Sequence, residues 1–382
     1  MKEYDVFIAG GAVAGPVAAK FCAKQNLKTL LVEKARVPRE KPCSGIQFPY
    51  FAKIIGDPIP PDRLCNNELS RVEMHLPNGK VFSAKFPVLN FMRDTFDEWL
   101  CILAQDYGAE FRDGCHFKDL EEVDDGLIVH LKTDSGVERI KAKYVIDATG
   151  LRPVIRRKLR KDEGFERGST GAALNYYFTA DGNLDPDKLY MFWNIEFNNM
   201  MFAWVYNKTL NDGNDYWVVG TGYDKDVVKR QDGFFDHVKE LYQLKNVKIV
   251  KKEGYSSSMV FADKERIWLG ERNLLMVGDA AGLIDLTRGV GMDSAALSGR
   301  LAAKAVGIAE RSGTPGIDAY AQEMKHLVRQ TRKNQQAGVL SFETNQELQA
   351  YLDAGMLEMG LNMFVQRFLN RLRSGERQVM LP

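Results

Sequence analysis

Cysteine and histidine are scarce in this chain of 382 residues, with five of each. The cysteines stand at 22, 43, 65, 101 and 115, an odd and widely spaced set without a C-x-x-C pair. Neither a disulfide framework nor a structural zinc site is expected from such a set. The histidines form no H-E-x-x-H and no clustered pair, so metal catalysis has no support. A G-x-S-x-G nucleophile motif is also missing. No apolar run reaches the roughly 18 residues of a spanning helix. Charge of either sign is not in excess: 52 Lys and Arg face 51 Asp and Glu, a net +1, which makes nucleic acid an unexpected partner. There is no internal repeat and no low-complexity stretch. The first residues run straight into a strand, so no secretion signal is expected and a cytoplasmic location is the default.

What is present begins at residue 4. The chain is long enough for a sizeable core and two or three domains, and its 45% hydrophobic and 27% charged residues suit a soluble globular protein. Tyr4-Asp5-Val6-Phe7-Ile8 is an apolar strand that leads into Ala9-Gly10-Gly11-Ala12-Val13-Ala14-Gly15, where a helix begins. The next strand, Thr29-Leu30-Leu31-Val32, ends on Glu33. A β-turn-α-β unit that closes on an acidic residue is built to hold an ADP group. Gly10 permits the tight turn, and small residues at 11, 12 and 14 let the backbone approach a pyrophosphate. Gly15 lets the helix pack close to the sheet. The helix N-terminus offers unpaired N–H groups and partial positive charge to phosphates. The Glu33 carboxylate can accept hydrogen bonds from ribose hydroxyls. The middle glycine of G-x-G-x-x-G is Ala12 here. Alone, the unit suits NAD or FAD.

Further along, residues 35–70 are rich in Pro, Arg, Lys and Gly and read as a long functional loop with short helical pieces. Residues 71–88 alternate around Pro77-Asn78-Gly79, a hairpin pattern. Residues 94–107 form an amphipathic helix with Phe96, Trp99, Leu100 and Leu103 on one face. Strand-like segments follow at 109–117, 126–133 and 137–148. Residues 171–224 alternate with many aromatics, which predicts a β-sheet with one face packed and the other free to line a pocket. Residues 225–244 are helical in pattern. The strand Leu274-Leu275-Met276-Val277 leads into Gly278-Asp279, small residues recur in a helix over 292–311, and the tail from 318 is a separate amphipathic helix.

Three of these segments carry motifs. Arg93-Asp94-Thr95-Phe96-Asp97-Glu98-Trp99-Leu100 fits R-x-x-F-D-x-x-L. Val145-Ile146-Asp147-Ala148-Thr149-Gly150 is a strand ending in A-T-G. Val277-Gly278-Asp279-Ala280-Ala281-Gly282 is followed by Arg288-Gly289-Val290-Gly291-Met292. Their order and spacing resemble the FAD-dependent oxidoreductases of the para-hydroxybenzoate hydroxylase fold, over roughly residues 1–310. The resemblance implies an α/β, Rossmann-like FAD-binding domain with an inserted, mainly antiparallel β-sheet substrate domain and a C-terminal helical segment. The division it suggests is 1–70, 89–170 and 263–315 for the FAD-binding domain, 71–88 and 171–262 for the substrate domain, and 316–382 for the helical region. It also implies that Gly10, Ala12, Gly15 and Glu33 hold the ADP half of FAD, that Arg93 lies near the pyrophosphate, and that Asp279 bonds the ribitol chain. Gly289, Val290 and Gly291 would pass their backbone beside the isoalloxazine ring. The same resemblance extends the expected cofactor contacts to Val13, Ala14, Lys34, Arg39, Cys43, Ser44, Gly45, Ala148, Gly150, Gly278 and Met292.

The loop Pro38-Arg39-Glu40-Lys41-Pro42-Cys43-Ser44-Gly45 looks like the K-x-C-x-G loop of the geranylgeranyl reductase family. Those enzymes saturate isoprenoid C=C bonds with reduced flavin, and Cys43 matches the cysteine that sits near flavin and substrate in them. Phe202-Ala203-Trp204-Val205-Tyr206 resembles part of their substrate-cavity motif, but Asn199 and Asn207 stand where flanking prolines belong. Trp193, Trp204 and Tyr206 are the expected substrate contacts, and ordinary sheet packing explains the same aromatics equally well. The expected activity is hydride transfer from reduced FAD to an apolar, isoprenoid-like substrate, with Cys43 as catalytic proton source and reduced ferredoxin or NAD(P)H as external donor. Aromatic monooxygenase, halogenase and non-catalytic flavin-binding partner are the alternatives. Thr149 and Pro153 depart from the hydroxylase pattern, and Trp193-Asn194-Ile195 departs from the halogenase one. In the tail, Leu357, Leu361, Phe364, Val365, Phe368, Leu369 and Leu372 recur at helical spacing, with Arg367, Arg371, Arg373 and Arg377 between or after them. Such a helix can contact a membrane surface peripherally or pack on the FAD domain.

Overall fold

The computed structural model describes residues 1–160, 170–199, 202–222, 226–258, 267–284, 291–338 and 342–355. The chain opens with β1 (Lys2–Ala9), α1 (Ala14–Ala23) and β2 (Thr29–Val32), followed by β3 (Ile46–Gln47), α2 (Phe51–Ile55) and α3 (Pro61–Leu64). The strands β4 (Cys65–His75) and β5 (Val81–Phe91) precede α4 (Arg93–Asp106). Next come β6 (Glu110–Arg112), β7 (His116–Val123), β8 (Gly126–Thr133), β9 (Gly136–Asp147) and α5 (Val154–Leu159). The strands β10 (Thr170–Asp181), β11 (Lys188–Phe192), β12 (Ala203–Thr209) and β13 (Asp215–Gly222) lead to α6 (Val227–Leu241) and β14 (Lys245–Ser258). The last elements are β15 (Gly270–Glu271), β16 (Leu274–Met276), α7 (Met292–Ser312) and α8 (Gly316–Gly338).

Two compact units result. The first takes Met1–Cys65, Phe91–Thr170 and Ser257–Val339; the second takes Asn66–Asn90, Gly171–Ser256 and Leu340–Pro382, of which 342–355 are described at the end.

In the first unit the sheet order is β15-β16-β9-β1-β2-β6, with the β7–β8 hairpin joined through β8 to β9. From β16 to β6 the strands run parallel. Val6, Phe7, Ile8 and Ala9 of the central strand are all buried, as a strand covered on both faces requires. The register sets Ala9 beside both Val32 and Asp147, and Asp147 beside Met276. Four strands therefore end abreast, and the turns that follow them leave one edge of the sheet together. Helix α1 packs on α7, and small residues allow the approach: a Cβ on Gly299 would stand 2.3 Å from the Ala14 carbonyl oxygen. The expected segment 109–117 is two strands rather than one. Gly114, at φ +66°, turns the chain between them, and the Cys115 N–H is taken by the Glu33 carbonyl.

In the second unit the strands run β14-β10-β13-β12-β11-β4-β5. The pairs β10–β13, β13–β12 and β12–β11 are antiparallel, whereas β11 and β4 are parallel. One face carries Tyr176, Phe178, Tyr190, Phe192, Ala203, Val205 and Val219, packed on Phe234, Phe235 and Val238 of α6. Strand periodicity of two sends Asn175, Tyr177, Trp204 and Tyr206 to the opposite face.

Candidate functional site

The glycines of the first turn are held by contacts rather than by flexibility. Gly10 has φ +116°, and a Cβ there would stand 2.3 Å from the Ala148 carbonyl oxygen. A Cβ on Gly11 would stand 2.8 Å from Cβ of Glu33. A Cβ on Gly15 would stand 1.9 Å from the Gly10 carbonyl oxygen and 3.2 Å from Leu31 Cδ1 on β2, so this glycine closes the turn and also lets α1 lie close to the sheet. Helix α1 starts at Ala14 with Val13 as its cap, and Ala12 takes the middle position of the turn. Among the described residues no carbonyl or side chain takes the N–H of Ala12, Val13 or Ala14. Three backbone donors at a helix N-terminus, in a turn that admits no extra Cβ at 10, 11 or 15, fit a pyrophosphate.

Glu33 is buried, with 4% of its surface exposed. One oxygen accepts the Gly11 N–H at 2.8 Å and the other accepts the Ala35 N–H at 3.1 Å. Arg39 Nη2 lies 3.5 Å from the first oxygen. A carboxylate has about four acceptor positions, so capacity is left for ribose hydroxyls. Lys34 is exposed at the strand end, and His116 senses its charge.

From Arg39 a charged chain leads inward. Arg39 Nη1 is 3.4 Å from Oδ2 of Asp97, a residue only 1% exposed. Asp97 also accepts two bonds from Arg93 one turn earlier on α4: Nε to Oδ1 and Nη2 to Oδ2, each 2.9 Å. Cys43 lies close enough to Arg93 to act on its charge. Burial works against the guanidinium charge, but Asp97 and then Cys43 outweigh it and raise the Arg93 pKa. Desolvation, followed by Arg93, lowers the Lys41 ammonium pKa against the pull of Asp97 and Asp279. Burial raises the Asp279 carboxyl above the usual range, opposed by Lys41 and Arg93.

Asp279 follows Gly278, whose φ is +57° and whose N–H is taken by Ser298 Oγ at 2.9 Å. A Cβ on Gly291 would stand 3.4 Å from Asp279 Oδ1, and the buried Met292 opens α7 directly after it. Ser44 Oγ accepts the Ile46 N–H at 3.4 Å, and the carbonyl of Gly45, at φ +68°, takes the Phe91 N–H. Ala148 is buried against Gly10, and Gly150 has φ +77°. The tertiary structure thus gathers Glu33, Arg39, Cys43, Arg93 and Asp279 at the ends of four strands. Gly289 and Val290 lie outside the described residues. Sequence reasoning gave no role to Asp97 or Lys41. The i, i+4 spacing of Arg93 and Asp97 was the available signal for the first. Among the described residues no group of His, Cys, Asp or Glu could hold a metal ion, and no helix is long and apolar enough to cross a membrane.

In the second unit, Trp193 packs on Phe202 with ring centroids 5.1 Å apart, and Phe202 meets Trp204 at 6.3 Å. Trp204 donates to Asn175 Oδ1 at 2.9 Å, in space that a Cβ on Gly220 would fill, 2.2 Å from the indole nitrogen. Tyr206 is 1% exposed on the same sheet face. The three expected aromatics therefore share one region of one face. Among the described residues the Trp193 indole N–H has no partner.

A family described as "FAD binding domain" matches residues 71–335. The geranylgeranyl diphosphate reductase of Rhodobacter capsulatus is 26% identical over 328 residues, covering 82% of this chain and 77% of the relative. The digeranylgeranylglycerophospholipid reductase 2 of Methanothermobacter thermautotrophicus is 26% identical over 315 residues, covering 80% and 79%. In fold, the chain matches a geranylgeranyl bacteriochlorophyll reductase-like structure from Thermoplasma acidophilum with a TM-score of 0.75 at 21% identity, covering 92% of this chain and 91% of that one. Together with a phosphate turn, an acidic strand end and a parallel sheet of this topology, these findings identify FAD as the cofactor. The chain belongs to the FAD binding domain family and is an FAD-dependent oxidoreductase.

Proposed function

We propose that this protein is a reductase that saturates a C=C bond of an isoprenoid or similarly apolar substrate. The activities for which the two relatives described above are named support this reading. The observation that carries it is the buried Arg93 guanidinium, fixed by Asp97, whose charge acts on both Cys43 and Asp279. In this reading the turn at Gly10, Ala12 and Gly15 takes the pyrophosphate, Glu33 the adenosine ribose, and Asp279 the ribitol hydroxyls.

When bound, FAD supplies the hydride. An unactivated alkene is a poor hydride acceptor, so a proton must reach its other carbon. Cys43 supplies it: the S–H bond breaks, a C–H bond forms, and the thiolate left behind faces Arg93. The guanidinium offsets that charge, and Asp97 keeps the guanidinium oriented. Trp193, Trp204 and Tyr206 offer an apolar wall to the substrate. An external donor, reduced ferredoxin or NAD(P)H, provides the electrons for each turnover. Residues 355–382 would add peripheral membrane contact, which liposome flotation with and without them tests.

The direct experiment is anaerobic. Dithionite-reduced holoprotein is mixed with geranylgeranyl diphosphate and flavin absorbance is followed. Reoxidation is expected, and Cys43→Ala should slow it at least about 100-fold, the range of a lost general acid, with FAD still bound. Equal rates in the variant exclude the role of Cys43. Reoxidation that needs O₂ and an aromatic compound would replace the reductase reading with a monooxygenase one.

A further inference from the structure

A second concavity lies on the first unit, on the outer side of α8. It is open to solvent, has a volume of about 410 Å³ and is lined by Leu269, Ala321 and Val328 together with Lys325, Arg329, Arg332 and Lys333. The four cations sit at 325, 329, 332 and 333, so they form one stripe along the helix. The other side of α8 is the buried one, through Tyr320, Met324, Leu327, Thr331 and Gln335.

Two facts separate this stripe from an ordinary solvated helix face. Among the described residues no carboxylate pairs with Lys325, Arg329 or Arg332. The nearby acid, Glu323, is engaged by Lys304 at 2.8 Å. Like charges at i, i+3 and i, i+4 destabilise a helix, and among the described residues no ion pair offsets two such pairs: 325 with 329, and 329 with 332. The four cations also line one concavity together with Leu269, Ala321 and Val328. Gln335, one turn past Arg332, donates to the carbonyls of Gly282 and Ile284 at 2.8 and 3.0 Å. The basic half of α8 is therefore tied to the segment that carries Asp279.

We propose that this concavity binds a phosphoryl anion, a diphosphate or phosphoester group, with Arg329 and Arg332 as its main ligands. Planar guanidinium forks bind phosphate oxygens in pairs, and lysines add point charge. Leu269 and Val328 would take the first apolar atoms attached to that group. This deepens the reductase reading and rests on it only for the nature of those apolar atoms.

Isothermal titration of the FAD-saturated full chain with inorganic pyrophosphate tests the site while the ADP turn is filled. One saturable event is expected in the wild type. Arg329→Gln/Arg332→Gln should weaken it at least about tenfold, because two charge-assisted pairs are lost. The variant should melt no lower than the wild type, since two like-charge pairs are relieved. Absence of saturable binding, or equal binding in the variant, overturns the proposal. The source of the anion is then read from turnover. If it is the substrate's own group, the variant raises KM for geranylgeranyl diphosphate relative to that for geranylgeraniol. If pyrophosphate binding is lost while both KM values change alike, the site serves a phosphoryl compound other than the substrate. Absence of turnover with either isoprenoid would count against the reductase reading and leave the titration result in force.

Discussion

Replacing Asp97 by Ala removes the partner on which two arginines depend. Arg93 is 6% exposed and gives Asp97 two bonds of 2.9 Å, while Arg39 lies 3.4 Å away. Without the carboxylate, a buried guanidinium loses both of its bonds to Asp97. Breaking a buried pair from one side costs about 3–5 kcal/mol, because the remaining charge stays out of water. Asp97→Asn retains the shape and one acceptor, and loses about 1.5–3 kcal/mol of charge-assisted bonding. For a unit of this size 1 kcal/mol corresponds to about 2–4 °C in melting temperature. Asp97→Ala in FAD-free protein should thus melt about 6–20 °C below the wild type, with Asp97→Asn between them. The double variant Arg93→Met/Asp97→Leu removes both charges and fills the space with apolar atoms. It should recover most of the loss, since an apolar replacement of a buried pair is often neutral. Differential scanning fluorimetry of wild type, Arg93→Met, Asp97→Leu and Arg93→Met/Asp97→Leu completes a double-mutant cycle. If Asp97→Ala melts within about 2 °C of wild type, or if the two changes simply add, the pair has no such role and the argument fails.

Gly10→Ala would set a Cβ 2.3 Å from a backbone oxygen at φ +116°, whereas Gly136→Ala would meet φ +120° with nothing within 4 Å. Fluorescence titration should show FAD affinity falling at least about tenfold for the first and little for the second, since only the first collision displaces the phosphate turn; equal affinities would refute the steric argument. In the alkaline range, burial pushes the hydroxyls of Tyr4, Tyr144 and Tyr190 up from 10.0 to about 12. A raised folded pKa stabilises fully below the unfolded value, and that contribution is lost as pH rises from 10 through 12. Each tyrosine accounts for at most about 2–3 kcal/mol, so Tyr190→Phe should flatten the decline in urea midpoint between those limits, and an unchanged decline would rule Tyr190 out as a contributor.

Much of the first unit was legible along the chain because its signals are local. Tyr4 to Glu33 encode a strand, a turn and a helix through nearest neighbours, and the glycines at 10, 11 and 15 state where backbone must come close. The segment around Asp279 and the motif beginning at Arg93 were legible for the same reason, as short runs at a readable spacing. Periodicity also revealed the aromatic sheet, although it could not say which face α6 covers. That depends on register: Tyr190 opposes Val205, and Val205 opposes Val219, which puts all three on the α6 side and sends Trp204 and Tyr206 to the other.

The sequence by itself determined the nucleotide turn, the aromatic sheet and the loop that carries Cys43, since each follows from residues adjacent along the chain, and the order and spacing of its separate motifs pointed to FAD. Only the tertiary structure decided which charges meet. Cys43 and Arg93 lie fifty positions apart, Lys41 and Asp279 far more, and they come together because β1, β2, β9 and β16 end abreast. The same holds for Leu269 and the basic stripe of α8, which form a concavity only once β15 and α8 are packed side by side. Proximity of that kind is set by strand register and helix packing, and neither is written in any local window of sequence.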